Sequence, residues 1–247
     1  MKTIDLSVVI PTLNEELYIG ELLDSLVKQT VSPKEIVIVD AYSKDKTISE
    51  IKKRQKILKQ LKFYQIPKST ISKQRNFGVS KTNSPHILFL DADMSFKDPQ
   101  TLEKYFTEVL ETEPDIAAAF NWPSTEYWKD KAFFAAMNAL FVAAKPIWPM
   151  ATAMNIYVKR EVFLKSGEFD EQIRVGEDYE LIQRCVRKGN EFKFLKTPKL
   201  HTSTRRFEKE GRRTYTFKMV KSFFNIMTKG YKRNEIEYEF GKFTSKR

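Results

Sequence analysis

The segment Leu6-Ser-Val-Val-Ile-Pro11 decides the fold class, because it is a short apolar run that ends at a proline. Runs of this kind are typical of strands that a parallel sheet buries on both faces. Residues 15–29 follow with apolar side chains at helical spacing, and Asn14 is placed to serve as the N-cap of that helix. The start of the chain therefore predicts a buried strand followed by an amphipathic helix.

The same alternation continues through the first half of the chain. The apolar spacing predicts a strand at 36–39, a helix at 44–60, a strand at 63–66, a helix at 71–81 and a strand at 86–90. Strands that alternate with helices at this spacing indicate parallel βαβ units. We therefore expect an α/β fold with a Rossmann-like, mostly parallel central sheet flanked by helices. Such sheets bind ligands at the carboxyl ends of their strands.

The second half of the chain is less regular. Residues 114–150 hold all three tryptophans and predict a strand followed by a long excursion. The pattern then sharpens into a strand at 155–158, a helix that begins at Arg160 and a helix at 178–188. The sequence shows no internal repeat and no low-complexity linker, which favours one main domain.

Composition and cysteine content limit the class of protein. The 247 residues include 41% hydrophobic side chains, enough to bury a sizeable core. Cys185 is the single cysteine, so we expect a small buried side chain and not an internal disulfide. No signal-peptide pattern follows Met1, and the longest apolar segment, residues 132–144, falls short of the roughly 20 residues that span a bilayer. We therefore expect a cytoplasmic protein without a transmembrane helix.

Basic residues are concentrated at the C-terminal end. The formal net charge is +11, and residues 199–247 contain 14 Lys or Arg against 5 Glu. This balance fits an anionic partner, such as a lipid head group, a diphosphate or a nucleic acid, but a solvated tail has the same composition. Phe217, Val220, Phe224 and Met227 fall on one helical face in this region. The face predicts packing against the rest of the chain or, as the alternative, contact with an anionic membrane.

Two acidic motifs carry the strongest chemical signal. Asp91 and Asp93 come directly after the strand at 86–90, where paired carboxylates suit a hard cation that neutralises a diphosphate. Glu177 and Asp178 precede a predicted helix. Asp178 is either the N-cap of that helix or a general base that accepts a proton from a hydroxyl.

These motifs belong to an ordered set. Its members are Val9-Ile-Pro-Thr-Leu-Asn-Glu15, Val39-Asp40-Ala-Tyr-Ser43-Lys-Asp45-Lys-Thr47, Arg75-Asn76-Phe-Gly78, Leu90-Asp91-Ala-Asp93 and Gly176-Glu177-Asp178. In this order and spacing the chain resembles a family 2 glycosyltransferase of the GT-A fold, from about residue 6 to residue 189. The resemblance implies a GT-A catalytic domain at 1–203, with a nucleotide-sugar half at about 1–95 and an acceptor half at about 96–203. A basic helical extension then covers 204–247.

The resemblance also implies the chemistry. Enzymes of this family transfer a sugar from a nucleotide-diphosphate sugar by direct, inverting displacement, assisted by a divalent metal such as Mn²⁺ or Mg²⁺. Matching the motifs makes Asp93 a metal ligand and places Asp91 at the ribose or the metal. Asp178 matches the base that deprotonates the acceptor, and Glu177 is its neighbour at the acceptor.

Nucleotide contacts follow from the same match. Pro11, Leu13 and Glu15 are expected to line the nucleotide pocket. Asp40 is expected to face the base or the ribose, and Arg75 is expected to reach the base or the diphosphate.

The segment after the matched region adds further site residues. His201 lies where many relatives carry another metal ligand, and a bystander is the alternative. Arg205 and Arg206 suit bidentate contacts with the leaving diphosphate. His86 begins a predicted strand, so we expect a structural role for it.

Two departures from the family pattern refine the expected activity. Ala41 replaces a second acidic residue after Asp40, which leaves the nucleotide base open. The Gln-x-x-Arg-Trp motif of processive synthases is absent from the sequence. We therefore expect transfer of a single sugar from a UDP- or GDP-type donor. The acceptor is unidentified, and a lipid-linked acceptor at the cytoplasmic membrane face is a further hypothesis.

Two other hypotheses remain. A nucleotidyltransferase has a similar fold, but the sequence lacks a Gly-rich phosphate loop with a following lysine near the first strand. A non-catalytic basic protein that binds anionic lipid or nucleic acid accounts for the charged tail and leaves the ordered acidic motifs unexplained. Nucleic acid is the less expected partner.

Overall fold

The computed structural model describes residues 2–151 and 154–233, which form an eight-stranded sheet flanked by helices. The strands are β1 (Lys2–Thr12), β2 (Val31–Asp40), β3 (Leu61–Gln65), β4 (His86–Leu90), β5 (Met94–Ser95), β6 (Ile116–Pro123), β7 (Asn155–Lys159) and β8 (Phe192–Thr202). The helices are α1 (Ile19–Val27), α2 (Thr47–Gln55), α3 (Ile71–Ser80), α4 (Thr101–Thr112), α5 (Trp128–Ala144), α6 (Arg160–Ser166), α7 (Glu177–Arg187), α8 (Arg205–Glu210) and α9 (Arg212–Lys229). A 3-10 turn, Tyr231–Arg233, ends the described chain.

The sheet has a parallel half and a mixed half. Its strand order is β3-β2-β1-β4-β7-β6-β8-β5. The first four strands run parallel to one another. In the other half β6 and β8 are parallel, whereas the pairs β4–β7, β7–β6 and β8–β5 are antiparallel. The acidic motifs after β1, β2 and β4 therefore meet at one edge of the parallel half.

The apolar run that opens the chain is buried on both faces, as its composition predicts. Leu6, Val8 and Ile10 belong to the core cluster on one face of the sheet. Val9 belongs to the cluster on the other face, which includes Phe89 and Phe163. Helices cover both faces of the sheet and hold β1 in place. The residues that follow β1 therefore have a fixed position.

The predicted strands and helices of the first half are present, but α1 begins later than expected. Asn14 is not its N-cap, since Tyr18 holds that position. Asn14 has a left-handed backbone with φ of 55°, and its Oδ1 accepts a hydrogen bond from the Lys44 backbone N–H at 2.8 Å. The residues between β1 and α1 form a turn in which the Glu15 carbonyl accepts from the Ile19 N–H at 3.0 Å.

The middle of the chain is more regular than its sequence suggested. The excursion expected at 114–150 contains the 17-residue helix α5. Its alanine-rich sequence lacks a clear polar face, so the spacing of apolar residues gave no signal. Within the described ranges, none of the helices is both long and apolar enough to cross a bilayer.

The apolar face of α9 points to solvent, so the expected packing of that face is wrong. Phe217 is 69% exposed and Phe224 is 65% exposed. A different face of α9 packs inward, where Ile226 is 5% exposed and Phe223 contacts Trp148 at a ring-centroid distance of 5.8 Å. Helix α9 therefore carries two apolar faces, and periodicity alone did not show which one is covered.

Candidate functional site

Backbone N–H groups of the loop after β1 donate hydrogen bonds to side chains that follow β2. The Asn14 N–H donates to Ser43 Oγ at 2.8 Å, and the Glu15 N–H donates to Thr47 Oγ1 at 2.7 Å. These bonds satisfy backbone groups that neither a helix nor the sheet satisfies. They also fix the position of Glu15, whose side chain points into the cleft. The cleft is the space at the carboxyl edge of β1, β2 and β4.

Asp40 is completely buried at the end of β2. Its Oδ1 accepts from the Thr12 hydroxyl at 3.1 Å, and its Oδ2 accepts from the Ser43 N–H at 2.9 Å and from Gln65 Nε2 at 3.3 Å. The carboxylate therefore ties together the ends of β1, β2 and β3. Nearby, Pro11 is buried opposite Val39 in β2, and Leu13 is half-buried directly after β1.

Arg75 is a fully buried cation between two carboxylates. Its Nη2 lies 2.7 Å from Asp91 Oδ1, and its Nη1 lies 3.0 Å from Glu177 Oε1. The guanidinium carbon also lies 5.1 Å from the centroid of the Phe169 ring. A buried charge is tolerated when it is paired in this way, because the partners replace water. Arg75 thus joins the end of β4 to the start of α7.

Burial governs the electrostatics of these carboxyl groups. It raises the pKa of Asp91 and the pKa of Glu177, while the Arg75 guanidinium opposes both shifts. The charge of Asp93 raises the pKa of Asp91 further, and Arg206 lowers it. Burial therefore outweighs the stabilisation that Arg75 gives to the charged forms of Asp91 and Glu177.

A second arginine connects the opposite side of the cleft. Arg205 Nε lies 3.1 Å from Asp93 Oδ2, and Arg205 Nη2 donates to Glu15 Oε1 at 3.0 Å. The guanidinium carbon lies 4.7 Å from the centroid of the Tyr18 ring. The Ser203 hydroxyl donates to Asp93 Oδ2 at 2.7 Å. Arg205 therefore brings the C-terminal extension into direct contact with the loop after β1.

Glu15 responds to the same crowding. Burial raises its pKa to about 7 even though Arg205 acts to lower it. The charges of Asp93 and Asp91 add to the rise, which shows that the three carboxyl groups share one electrostatic environment. An open cavity of about 350 Å³ borders Asp93 and Arg205, and its walls also include Ser124 and Ser203.

Asp178 lies in the first turn of α7, so its predicted N-cap alternative is wrong. The N-cap is Gly176, whose φ of 85° is a left-handed conformation that favours glycine. A Cβ at Gly176 would lie 2.9 Å from Ile226 Cδ1, so α9 packs directly against this turn. Burial raises the pKa of Tyr179 well above its ordinary value, and the charge of Asp178 adds to the rise.

His201 is not brought to the two aspartates. Its Nδ1 lies 3.4 Å from the Pro123 carbonyl oxygen, and burial together with Lys97 lowers its pKa. The β5–β8 register places His201 opposite Ser95, whereas the Ser203 N–H donates to the Asp93 carbonyl. Among the described residues, no group of three His, Cys, Asp or Glu side chains is positioned to hold a metal ion.

Sequence reasoning missed several residues of the cleft. Ser203 and Tyr18 contact Asp93 and Arg205, and Tyr215 of α9 has its pKa raised by burial, with Asp93 adding to the rise. Tyr18 lies three residues after a recognised motif, and Ser203 lies two residues after His201. Neither position carried a local signal of its own. The two expected structural residues agree with their predictions, since Cys185 is buried and His86 Nδ1 lies 2.6 Å from the Tyr157 hydroxyl.

Comparison with known proteins identifies the family. A model described as glycosyl transferase family 2 matches residues 7–164. The chain belongs to this family, as the ordered motifs predicted. Minor teichoic acid biosynthesis protein GgaB of Bacillus subtilis (strain 168) is 27% identical over 241 residues, which is 94% of this chain and 26% of GgaB. Poly(ribitol-phosphate) beta-N-acetylglucosaminyltransferase TarS of Staphylococcus aureus (strain Mu50) is 33% identical over 114 residues, which is 44% of this chain and 20% of TarS.

Solved structures agree with the observed architecture. Residues 1–349 of S. aureus TarS in complex with UDP-GlcNAc superpose with a TM-score of 0.67 at 23% identity, covering 92% of this chain and 66% of that one. Mannosyltransferase PcManGT from Pyrobaculum calidifontis, in complex with GDP-Man and Mn²⁺, gives 0.70 at 18% identity, with coverages of 88% and 61%. The predicted GT-A fold is confirmed. The chain spans only about a quarter of GgaB and a fifth of TarS.

Proposed function

We propose that the chain transfers a single sugar from a nucleotide-diphosphate sugar of UDP or GDP type to an acceptor hydroxyl. The observation that carries this proposal is the convergence of Glu15, Asp91, Asp93 and Glu177 with Arg75 and Arg205 in one cleft. The similar structures of TarS and PcManGT contain UDP-GlcNAc and GDP-Man. Membership of the family favours this function over the nucleotidyltransferase and non-catalytic hypotheses.

The donor would lie across the carboxyl edge of the parallel half. Pro11, Leu13 and Glu15 flank the nucleotide on the β1 side, and Asp40 supports the adjacent strand ends. Arg75 positions Asp91 near the ribose or the metal. Its complete burial fits support of these carboxylates better than direct contact with the diphosphate.

The carboxylates of Asp93 and Asp91 fit a divalent metal such as Mn²⁺ or Mg²⁺. Their oxygens are hard ligands, and one or two carboxylates together with substrate phosphates are a common set for Mg²⁺. The Arg205 guanidinium lies 3.1 Å from Asp93, and this contact with a positive group supports Asp93 as a metal ligand. When bound, the metal would offset the negative charge that develops on the leaving diphosphate. The expected ligand His201 lies outside this set.

Arg205 would exchange partners when the donor enters. Its contacts with Glu15 and Asp93 would give way to contacts with the diphosphate, for which a guanidinium has suitable geometry. Arg206 adds positive charge near Asp91. The exchange would leave Glu15 and Asp93 without Arg205, so a bound divalent cation at Asp93 would be needed to offset the added negative charge.

Asp178 would act as the general base. Its carboxylate accepts the proton of the acceptor hydroxyl, whose oxygen then bonds to the anomeric carbon. The bond between that carbon and the diphosphate breaks on the opposite face, and this inverts the configuration. Glu177, held by Arg75, lies beside Asp178 and orients the acceptor.

For the acceptor, we propose a lipid-linked compound that offers a hydroxyl group. The basic extension beyond residue 203 contacts the cleft through Arg205 and the Asp178 turn through Ile226. An acceptor reaching Asp178 would therefore pass close to α9. The division into domains at 1–203 and 204–247 and a cytoplasmic location at the membrane face stay predictions.

A donor-turnover screen tests the proposed function. UDP- and GDP-sugars are incubated with the protein and with Mn²⁺ or Mg²⁺, and release of the nucleoside diphosphate is measured. We expect turnover with one nucleotide class, a loss of about 10²- to 10⁴-fold in Asp178→Asn, and retained donor binding in that variant. Asp93→Asn should lose both turnover and metal-dependent donor binding.

Asp98→Asn is the matched control, because Asp98 is an exposed carboxylate paired with Lys104 outside the cleft. It should keep wild-type turnover. Turnover in Asp178→Asn equal to that of the control would show that Asp178 is not the base. Absence of donor binding for every nucleotide class with either metal would overturn the proposal as a whole.

A further inference from the structure

Helices α5 and α9 adjoin, although they are far apart in sequence. Arg212 Nε donates to Asp130 Oδ1 at 2.6 Å, and the Arg212 guanidinium carbon lies 4.5 Å from the centroid of the Tyr127 ring. Farther along both segments, Trp148 packs against Phe223. Asp130 is almost fully buried and Arg212 is 44% exposed, so an ion pair with one buried partner joins the two helices at their amino-terminal ends.

Both helices expose apolar side chains. On α5 and the turn after it, Trp128 is 67% exposed, Leu140 is 53% exposed and Ile147 is 91% exposed. The remaining exposed apolar residues of α5 are Ala132, Ala135, Ala136, Ala139, Val142 and Ala143. On α9 they are Phe217, Val220, Phe224 and Met227. Large exposed apolar patches on a folded domain mark a surface that binds another component. These residues are called the α5–α9 surface below.

The charged residues of α5 and α9 indicate which kind of component binds the α5–α9 surface. Helix α9 contains no acidic residue between Arg212 and Lys229, and the one acidic residue of α5, Asp130, is paired with Arg212. Lys221 and Lys229 lie on the exposed part of α9. Aromatic and aliphatic side chains beside lysines fit an anionic lipid surface. The apolar side chains can contact the acyl chains, and the lysines can contact the anionic head groups. A second copy of this chain would bring like charges together.

The α5–α9 surface adjoins the proposed base. Ile226, on the inner face of α9, packs at Gly176 beside Glu177 and Asp178. Burial raises the pKa of Tyr231 to about 12, and the charge of Asp178 contributes, so the chain just after α9 also lies near this carboxylate. Helix α9 therefore lies between solvent, which its exposed face contacts, and the part of the cleft that contains Asp178.

We propose that the α5–α9 surface docks on an anionic lipid bilayer, which brings membrane-anchored acceptors to the side of the cleft that contains Asp178. The docking stands on its own, and the part that concerns acceptors rests on the proposed function. Docking needs no membrane-spanning helix, because side chains of this kind insert only into the interface of a bilayer.

Sedimentation with lipid vesicles tests the docking. The full chain is mixed with vesicles of equal parts phosphatidylglycerol and phosphatidylcholine, or of phosphatidylcholine alone. We expect binding to the anionic vesicles and a decrease of about tenfold or more in Phe217→Ser/Phe224→Ser and in Trp128→Ser/Leu140→Ser. Lys221→Gln/Lys229→Gln should weaken binding about 30-fold at low salt, and less at high salt.

Matched controls carry the same changes elsewhere. Ile57→Ser/Leu110→Ser removes two exposed apolar side chains outside α5 and α9, and Lys52→Gln/Lys56→Gln removes two exposed lysines of the α2 region. Both should bind vesicles like the wild type. All of these variants replace exposed residues, so we expect their urea unfolding midpoints to equal that of the wild type. Measuring the midpoints checks that each variant folds.

Three results would overturn the docking. One is a wild-type protein that sediments with neither vesicle type, and another is a loss in the controls equal to that in the targeted variants. The third is a dimer, measured by light scattering, that Phe217→Ser/Phe224→Ser dissociates. Asp93→Asn separates the two proposals, since it should lose donor turnover and keep vesicle binding.

Discussion

The parallel pair β1–β2 carries buried carboxyl groups in two regions, and their electrostatics are opposite. Next to Ser7, burial acts to raise the pKa of Glu35, but hydrogen bonds from the Asn83 N–H, Lys62 and Ser7 outweigh it and leave the pKa at about 2. At the carboxyl end, burial keeps the pKa of Glu15 raised, at about 7, despite Arg205. In the first region hydrogen bonds outweigh burial and stabilise the charged carboxylate, whereas in the second region burial outweighs the contact with Arg205.

The two arginines that contact the carboxyl groups of the cleft differ in burial and in position. Arg75 is 0% exposed and joins α3, β4 and α7, so it belongs to the permanent scaffold. Arg205 is 10% exposed, and α8 carries it in from the C-terminal extension. A cation at the rim of a cleft can change partners without opening the core, so Arg205 is the arginine for which we propose exchange with the donor or a metal.

Removing the buried cation should give the largest effect. Arg75→Met keeps much of the side-chain volume and leaves Asp91 and Glu177 without their shared partner. We expect the free energy of unfolding to fall by about 3–5 kcal/mol, as is usual when one partner of a buried pair is lost. Urea denaturation measures this loss. A variant as stable as the wild type would show that the carboxyl groups readily take up protons or water instead.

Glu35 should give an intermediate, pH-dependent effect. Folding lowers its pKa from the ordinary value of 4.5 to about 2. Its contribution is therefore present above about pH 4.5 and is lost as the pH falls toward about 2. Glu35→Gln should lower the free energy of unfolding by about 1–3 kcal/mol at pH 7, and by less at pH 3. Urea titrations at both values check this, and a difference independent of pH would contradict it.

Removing the rim cation should give the smallest change in stability and a gain in metal binding. Arg205→Gln should lower the free energy of unfolding by about 1 kcal/mol, since its site is open to water on one side. It should also bind Mn²⁺ about tenfold more tightly without nucleotide, because a competing cation has left Asp93. A Mn²⁺ titration followed by electron paramagnetic resonance measures the affinity. An unchanged or weaker affinity would show that Arg205 does not occupy the metal position.

Much of the fold was predictable because it depends on local patterns. The runs at Leu6 and Ile36 are apolar on both sides of the strand, and only a sheet covered on both faces accommodates them. The position of Asp91 and Asp93 at the end of β4 follows from the same strand. Helix α5 was not predictable, since its apolar residues are spread around its circumference and give no face.

The sequence determined the parallel half, the ordered acidic motifs and the family to which the chain belongs. Tertiary structure alone decided the partners of the charges: Arg205 meets Glu15 across 190 positions, and Arg75 meets Glu177 across 102. It also decided which face of α9 is covered. The physical reason is that local spacing fixes the direction of a side chain relative to its own helix or strand. What lies opposite that side chain depends on how distant segments pack.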